Sequence, residues 1–318
     1  MPMNAPERWP SLPLEEWGDT YETLHRWTQI VGKVRTACTP WINHSWHTTL
    51  YLTARGLTTS PIPYGDRTFT IDFDFLNHRL EIESSDGGQR ELALRPEAVA
   101  DFHDRLFAAL GDLDLSVAIH GRPNEVEDAT PFREDRAHSA YDPDYANRLW
   151  RILSSTERVF TEFRAEFIGK NSPVHFFWGA FDLAVSRFSG RAAPPHPGGV
   201  PNLPDWIARE AYSREVASVG FWPGGGAHLF PFFYAYVYPE PDGYPAREVS
   251  PSEAFYSTEM REFVLPYDAV RQAESPEARV REFLQSTYDA AAELGDWDRA
   301  SLERDLDPRR SANSPSAS

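Results

Sequence analysis

The stretch KNSPVHFFWGAFDLAVSRFSGR, residues 170–191, decides how the chain is expected to fold. From His175 onward, apolar residues occupy both alternating sets of positions, which is typical of a strand buried on both faces. The segment therefore predicts one long core strand. His175, Asp182 and Arg187 then lie inside the core, where a charged group is costly unless it is paired. The same stretch predicts the centre of a sheet and a place to look for chemistry.

Two interpretations of this strand stay open. In a regular strand His175 and Asp182 point to opposite faces, and a bulge at Gly179 would bring them together or mark a close approach to a ligand. Asp182 could pair with an arginine and tie the strand to a helix. Alternatively, His175 could act as a general acid or base and Arg187 could bind an anion.

The surrounding periodicity predicts an α+β fold with one domain over residues 10–300. Apolar residues at helical spacing predict helices at 14–37, 95–113, 144–167 and 276–295. Alternating or continuous apolar runs predict strands at 48–57, 67–75, 79–85, 89–95, 115–121, within 209–226, and at 231–241 and 262–267.

This order suggests two halves, at about 14–120 and 144–297, each built as helix, antiparallel meander and helix. An internal duplication is one explanation, and a pocket is expected where the halves meet. Residues 301–318 are charged and Ser-rich and are expected to form a disordered tail.

A polar stripe is predicted on the strand at 48–57. If the strand is regular, one face carries His47, Thr49, Tyr51, Thr53 and Arg55. Such a face could line a polar cleft in which the arginine clamps a carboxylate or phosphate. The alternative is an ordinary solvated sheet face.

The composition excludes some classes of function. The net charge of −17 and the pI of about 5.0 disfavour binding to nucleic acid or to an anionic membrane surface. With Cys38 as the sole cysteine, no disulfide within the chain is possible. The first residues contain no apolar signal segment, and no window approaches 18 apolar residues, so a cytoplasmic protein is expected.

Two lysines stand out among 31 basic residues. Only Lys33 and Lys170 are lysine, and the rest are arginine, as in a chain shaped by a GC-rich genome. Under that bias a retained lysine is more often chemically needed. Chance and favourable charge at helix C-termini remain the alternative.

No metal site is predicted. His44 and His47 are three residues apart and His228 follows a glycine run, but no established ligand spacing is present. The glycine run at 224–226 could cradle an anion, but it lacks the Lys-Ser/Thr pair and the helix of a P-loop, so a flexible turn is expected. Whether a cofactor is needed stays open.

Four segments resemble a known family. They are the segment from His47 to Gly65, the run IGKNSPVHFFWGAFDLAVSRFSGRAAPP, the segment EAYSREVASVGFWPGGG and the segment EFLQSTYDAAAELGDWDR. They resemble the bacterial domain-of-unknown-function family numbered 5996, and the likeness extends from about Trp9 to Trp297. The resemblance implies a stand-alone single-domain protein and assigns no catalytic residue.

The leading functional hypothesis is an enzyme that acts on a small anionic organic molecule. Arg55 or Arg187 would orient the anion, His47 or His175 would move protons, and Asp182 would hold the histidine tautomer. Further ligand contacts are expected from Tyr51, Lys170 and Trp178.

Two other hypotheses remain. The protein could bind a small molecule without catalysis, or it could be a structural or complex-forming protein whose aromatic surplus forms core and interface. In the binding hypothesis the pocket walls would be Phe177, Trp178, Tyr234 and Tyr236. Convergence of His47, Arg55, His175 and Asp182 in one cleft would favour the enzyme. The oligomeric state stays open.

Overall fold

A computed structural model describes residues 8–199, 202–226 and 228–304 of the protein. In this part of the chain, twelve strands form one sheet in which every paired strand is antiparallel to its neighbour. In chain order the strands are β1 Thr49–Leu52, β2 Gly56–Thr58, β3 Ile62–Tyr64, β4 Arg67–Asp74, β5 Arg79–Ser84, β6 Gln89–Ala93, β7 His175–Phe177, β8 Asp182–Ala192, β9 Arg214–Trp222, β10 Phe232–Tyr238, β11 Phe255–Ser257 and β12 Glu262–Pro266. Across the sheet their order is β11-β12-β10-β9-β8-β7-β1-β2-β4-β5-β6, and β3 pairs with β4.

The helices confirm the α+β class. They are α1 Leu14–Cys38, α2 Val99–Gly111, α3 Pro143–Ala165, α4 Asp205–Ala211, α5 Tyr267–Arg271, α6 Pro276–Leu294 and α7 Arg299–Leu302. An N-cap starts α3, because the Asp142 carboxylate accepts the backbone N–H groups of Asp144 and Tyr145. No helix in the described residues is both long and apolar enough to cross a bilayer.

The first strands of the two predicted halves pair at the centre of the sheet. Thr49 of β1 lies opposite Phe177 of β7, and Leu50 lies opposite Phe176. The first half runs as α1, six strands and α2, and the second as α3, six strands and α6, with α4 inserted between β8 and β9 and α5 after β12. The duplication itself stays a prediction, since the order of elements alone does not establish common descent.

The prediction of one long strand over residues 170–191 is wrong, because the chain forms a turn within this segment. β7 and β8 form a hairpin in which Phe177 pairs with Asp182. Phe181 closes the turn in the left-handed region, at φ 63°, and its N–H donates to the Phe177 carbonyl at 2.8 Å. Distant residues hold the turn: the Trp222 indole donates to the Ala180 carbonyl at 3.0 Å.

The prediction of one strand over residues 48–57 is also wrong, because this segment contains a turn as well. It is also a hairpin, in which Leu52 of β1 pairs with Leu57 of β2. The Thr53 hydroxyl accepts the N–H groups of Arg55 at 3.2 Å and Gly56 at 3.0 Å, and this local bonding stabilises a turn. Arg55 therefore lies in the turn and not on the face that carries Tyr51.

The structure also differs from the sequence predictions in three other segments. Residues 115–121, expected as a strand, form none. Between β8 and β9 the chain forms α4, a helix that the sequence did not predict. Residues 301–304 were expected in the tail, but α7 ends at Leu302 and the Arg304 N–H donates to the Glu166 carbonyl at 2.8 Å. The rest of the predicted tail, residues 305–318, lies outside the described part of the chain.

The sheet separates a packed face from an open face. Leu183, Val185 and Arg187 of β8 point toward α3 and α6, and the two aliphatic residues are completely buried there. Because successive side chains of a strand alternate, Asp182 and Ala184 point to the other side. That side is where a cavity forms.

Candidate functional site

A cavity of about 1100 Å³ lies against the open face of the sheet. Its floor consists of alternating residues from β8, β9, β10 and β12. It is covered by α1, by the loops at 41–48 and 118–128, and by the segment 203–212 that contains α4. A molecule inside would therefore contact both helix and loop residues as well as the floor.

Aromatic side chains form much of the cavity wall. The aromatic floor and wall residues include Phe177, Trp178, Trp222, Phe232, Tyr234 and Tyr236. The Tyr234 ring lies where a Cβ on Gly220 would be, so glycine on β9 lets this ring lie flat on the floor. The Tyr236 hydroxyl is 2.9 Å from that of Tyr212, which comes from the covering segment. The tyrosines thus link the floor to its cover.

Three of the six acidic residues that line the cavity in the described part of the chain are Asp182, Glu125 and Glu262; the others are Glu22, Glu127 and Asp128. Asp182 projects from the start of β8, Glu262 from the start of β12, and Glu125 from the loop above them. Asp182 accepts a hydrogen bond from the Tyr234 hydroxyl. Within the described residues, desolvation and neighbouring charges act on the carboxyl groups of Glu125 and Glu262, and no hydrogen bond does.

Burial raises the pKa of all three carboxyl groups. Desolvation raises the pKa of Asp182 to about 6, and the Tyr234 hydroxyl limits that rise. Desolvation and the charge of Asp182 raise the pKa of Glu125 to about 7 and that of Glu262 to about 8. At neutral pH the cavity therefore contains both ionised and protonated carboxyl groups.

Glu125 is held in the cavity by an unusual backbone conformation. Its φ is 59°, in the left-handed region, which costs on the order of 1 kcal/mol for a residue with a side chain. Its carboxylate lies where a Cβ on Gly179 would be, so the missing side chain in the β7–β8 turn leaves room for it. The same turn is held from α1, because His25 Nε2 lies 2.8 Å from the Gly179 carbonyl.

Like Arg26 of the same helix, Lys33 of α1 also lines the cavity. Its side chain is 6% exposed, and its Nζ donates to the Asn124 Oδ1. The Nζ also lies 5.3 Å from the centroid of the Trp178 ring. Desolvation lowers the pKa of Lys33 to about 8, against the opposing charge of Glu125.

The model of the family of unknown function DUF5996 matches residues 9–304. The chain belongs to this family. No curated protein and no solved structure matches it. The resemblance expected from the sequence motifs is thus confirmed, and the role of the cavity has to be argued from the DUF5996 protein's own residues.

Two of the expected site residues line the cavity of the DUF5996 protein, namely Asp182 and Trp178. The expected partner of Asp182 was an arginine or histidine, whereas the structure supplies Tyr234. Of the four wall residues expected for a binding protein, all line the cavity: Phe177, Trp178, Tyr234 and Tyr236.

The two predicted proton-transfer histidines are buried beside the cavity. His175 is 1% exposed, and neither ring nitrogen has a hydrogen-bond partner in the described residues. Desolvation lowers the pKa of His175 to about 3, so the ring is neutral. The His47 Nδ1 accepts the Ile42 N–H at 3.3 Å, and burial lowers its pKa as well. Tyr51 packs edge-on against His175, with 5.5 Å between ring centroids.

The two predicted arginine anchors lie elsewhere. Arg55 is half-exposed and forms an ion pair with Asp74 at 2.8 Å in the first half of the sheet. Arg187 is 2% exposed on the opposite face, where its guanidinium lies 3.4 Å from the Phe163 ring centroid and 4.4 Å from that of Tyr288. Of His47, Arg55, His175 and Asp182, whose convergence would have favoured the enzyme hypothesis, only Asp182 lines the cavity.

Lys170 lies outside the lining of the cavity but contacts one of the histidines considered as metal ligands. The Lys170 side chain is exposed, and its Nζ donates to His44 Nε2 at 3.0 Å. His44 and His228 line the cavity and His47 does not. Within the described residues, no three His, Cys, Asp or Glu side chains are placed to hold a metal ion.

Three residues of the candidate site, Lys33, Glu125 and Glu262, were not predicted as site residues from the sequence. Lys33 was visible only as one of two lysines. Glu262 begins a predicted strand, where a carboxylate alternating with Val264 was a weak signal of a polar lining. Glu125 lies in a polar loop and carried no signal at all, because its position depends on contact with Gly179.

Proposed function

We propose that this protein is an enzyme that transfers protons to and from a small organic molecule held in the cavity. One observation carries the proposal: Asp182, Glu125 and Glu262 line one cavity, and their pKa values are raised to about 6, 7 and 8. Groups with pKa values near the working pH are effective general acids and bases, and separated values assign the roles.

Asp182 is the proposed base and Glu262 the proposed acid. With a pKa of about 6, Asp182 is mostly ionised at pH 7 and can accept a proton. With a pKa of about 8, Glu262 is mostly protonated and can donate one. The Tyr234 hydroxyl donates to the Asp182 carboxylate and orients it. The two histidines favoured by the sequence are replaced in this proposal by carboxyl groups.

The charge of the lining supports a neutral or cationic substrate over the anionic one that the sequence suggested. Neither Arg55 nor Arg187 is among the lining residues. Among the residues that the structure describes, six acidic residues line the cavity against two basic ones, Lys33 and Arg26, and Arg26 is already paired with Glu22 and Asp135. A carboxylate or phosphate placed among them would be repelled. Aromatic walls suit apolar or cationic groups.

The test detects proton transfer whatever the product of the reaction is. Wild-type protein in D₂O is incubated with a panel of small neutral and amine-bearing organic molecules, and mass spectrometry follows their consumption and deuterium content. The rate should rise as the pH passes about 6 and fall above about 8, following Asp182 and Glu262.

Two variants decide the roles. Asp182→Asn should lower the rate by about 100-fold or more, as expected for loss of a general base. Arg55→Ala is the matched control and should leave the rate unchanged, because this side chain lies outside the cavity. Equal rates for wild type and Asp182→Asn on a molecule that binds in the cavity would overturn the proposal.

A second candidate is a binding protein without catalysis. It is favoured by the aromatic wall, which includes stacked Tyr234 and Tyr236 rings with centroids 6.1 Å apart. A molecule that binds wild type and Asp182→Asn equally well, and that is neither consumed nor deuterated, would support this alternative. The complex-forming role stays a prediction.

A further inference from the structure

Lys33 is buried without the partner that a buried lysine normally has. An ammonium group inside a protein usually forms an ion pair, because an isolated buried charge is costly. Lys33 is 6% exposed, yet within the described residues no Asp or Glu forms an ion pair with it. Its acceptor is the neutral Asn124 amide, and its other neighbour is the Trp178 ring.

The acceptor is fixed in place by its own bonds. The Asn124 N–H donates to Gln29 Oε1 at 2.8 Å, and the Asn124 carbonyl accepts from Gln29 Nε2 at 2.8 Å. The Asn124 amide nitrogen donates to the Asn202 carbonyl at 2.5 Å. The Asn124 Oδ1 can therefore hold one N–H of Lys33 while the amine lone pair remains available.

An acid–base group stands next to this amine. Glu125 follows Asn124 in the chain, lines the same cavity and acts on the charge of Lys33. The pKa of Lys33 is about 8 and that of Glu125 about 7, so near pH 7 to 8 an uncharged amine and a protonated carboxyl group coexist. An amine desolvated in this way is a nucleophile for carbonyl groups.

We propose that Lys33 forms a covalent imine with the carbonyl carbon of an aldehyde or ketone substrate in the cavity. This rests on the proposed function and names its substrate class. The Lys33 amine forms a bond to the carbonyl carbon, and a proton moves from nitrogen to oxygen to give a carbinolamine. Glu125 protonates the hydroxyl group, the C–O bond breaks and water leaves. The nitrogen then gives its remaining proton back to Glu125, leaving a neutral imine.

The imine explains why a cavity rich in carboxyl groups contains this lysine. When protonated, the imine withdraws electrons from the substrate and makes a hydrogen on the neighbouring carbon more acidic. Asp182, the proposed base, lines the same cavity and can accept that proton. Lys33 and the carboxyl groups would thus act on adjacent atoms of one substrate.

The chain contains its own control, because Lys33 and Lys170 are its two lysines. The full-length protein is incubated with benzaldehyde or with acetaldehyde, in the presence of sodium cyanoborohydride, which reduces the imine to a stable amine. Peptide mapping by mass spectrometry then measures each adduct and separates both from the N-terminal amine.

The adduct on Lys33 should form about tenfold faster than that on exposed Lys170 at pH 7. Desolvation lowers the pKa of both amines, that of Lys33 to about 8, and each pH unit by which a pKa falls raises the fraction of uncharged amine about tenfold. Lys33→Arg should abolish this adduct, and Lys170→Arg should leave it unchanged. Absence of the Lys33 adduct, or labelling no faster than Lys170, would overturn the proposal. This comparison uses the wild-type protein, so it holds even if Lys33→Arg does not fold.

The outcome is separable from that of the proposed function. If Lys33 forms no adduct while Asp182→Asn still abolishes proton transfer, the imine is refuted and the acid–base function stands. If Lys33 is labelled selectively but no molecule exchanges protons, the imine is supported and the acid–base function is refuted.

Discussion

Replacing Glu262 by glutamine should make the protein less sensitive to alkaline pH. In the folded protein Glu262 keeps its proton up to about pH 8, whereas its ordinary pKa is 4.5. Between these values the folded state binds more protons than the unfolded chain, so the free energy of unfolding falls as the pH rises. The stabilising contribution is complete below 4.5 and lost above about 8. Glutamine has the same shape and no such titration.

The magnitude follows from that interval. At about 1.4 kcal/mol per pH unit, the span from 4.5 to about 8 sets an upper limit of about 5 kcal/mol. Because the side chain faces a cavity large enough for water, we expect about half of this. Only about 2 of these pH units lie between pH 6 and the pKa of about 8, so from pH 6 to pH 9 the wild type should lose about 1.4 kcal/mol more than the variant.

Urea unfolding of both proteins at pH 6, 7, 8 and 9 measures this difference. Lower pH values are avoided because the pI is about 5.0, and a net charge near zero promotes precipitation. The titration of Lys33 has the opposite effect on stability. Between pH values of about 8 and 10.5 the unfolded chain binds more protons at Lys33 than the folded protein does, so the free energy of unfolding rises with pH. To a first approximation its contribution cancels between the two proteins.

Glu259→Gln is the matched control for this experiment. Glu259 is exposed in the turn between β11 and β12, so this variant should follow the wild type. If Glu262→Gln and the wild type lose stability in parallel from pH 6 to pH 9, Glu262 is not a protonated acid in the folded protein. The acid proposed for catalysis would then have to be another group.

Three further predictions concern residues near and away from the cavity. Arg187→Ala should lower the free energy of unfolding by about 2–4 kcal/mol in urea, because it removes a buried side chain stacked on aromatic rings, yet ligand binding in the cavity should be unchanged. Arg55→Ala should cost about 1 kcal/mol or less, since its ion pair with Asp74 is half-exposed, and a larger loss in urea unfolding would contradict this. Gly32→Ala should lower the free energy of unfolding by about 1–3 kcal/mol and change tryptophan fluorescence, because its Cβ would overlap the Trp178 ring; an unaltered spectrum would argue against that packing.

Local patterns predicted much of the fold. The helix expected at 14–37 is α1, Leu14–Cys38, and the alternation of Phe69, Ile71 and Phe73 places all three in the core. These predictions succeed because the spacing of apolar residues reports which face of a helix or strand is buried. The two segments expected as single strands failed because a turn can interrupt an apolar run without changing its composition.

The candidate site, too, was predictable from the sequence only in part. The sequence by itself determined that Asp182 and Trp178 belong to a buried aromatic segment, and it singled out Lys33 by lysine usage. Only the tertiary structure decided that Asp182 faces a cavity while Arg187, on the same strand, faces the helices, because this depends on where the chain turns at Phe181. Contacts from α1 and β9 help hold that turn, through Gly179 and Ala180.

The three carboxyl groups with raised pKa values come together only when the sheet assembles. Glu125, Asp182 and Glu262 are far apart in the chain, and only Asp182 stood out in its own segment. They meet because β8 and β12 lie in one sheet and a loop folds over it. Sequence periodicity reports how each segment is buried, whereas pKa values depend on which charges come together in a desolvated space, and that is a property of the folded chain alone.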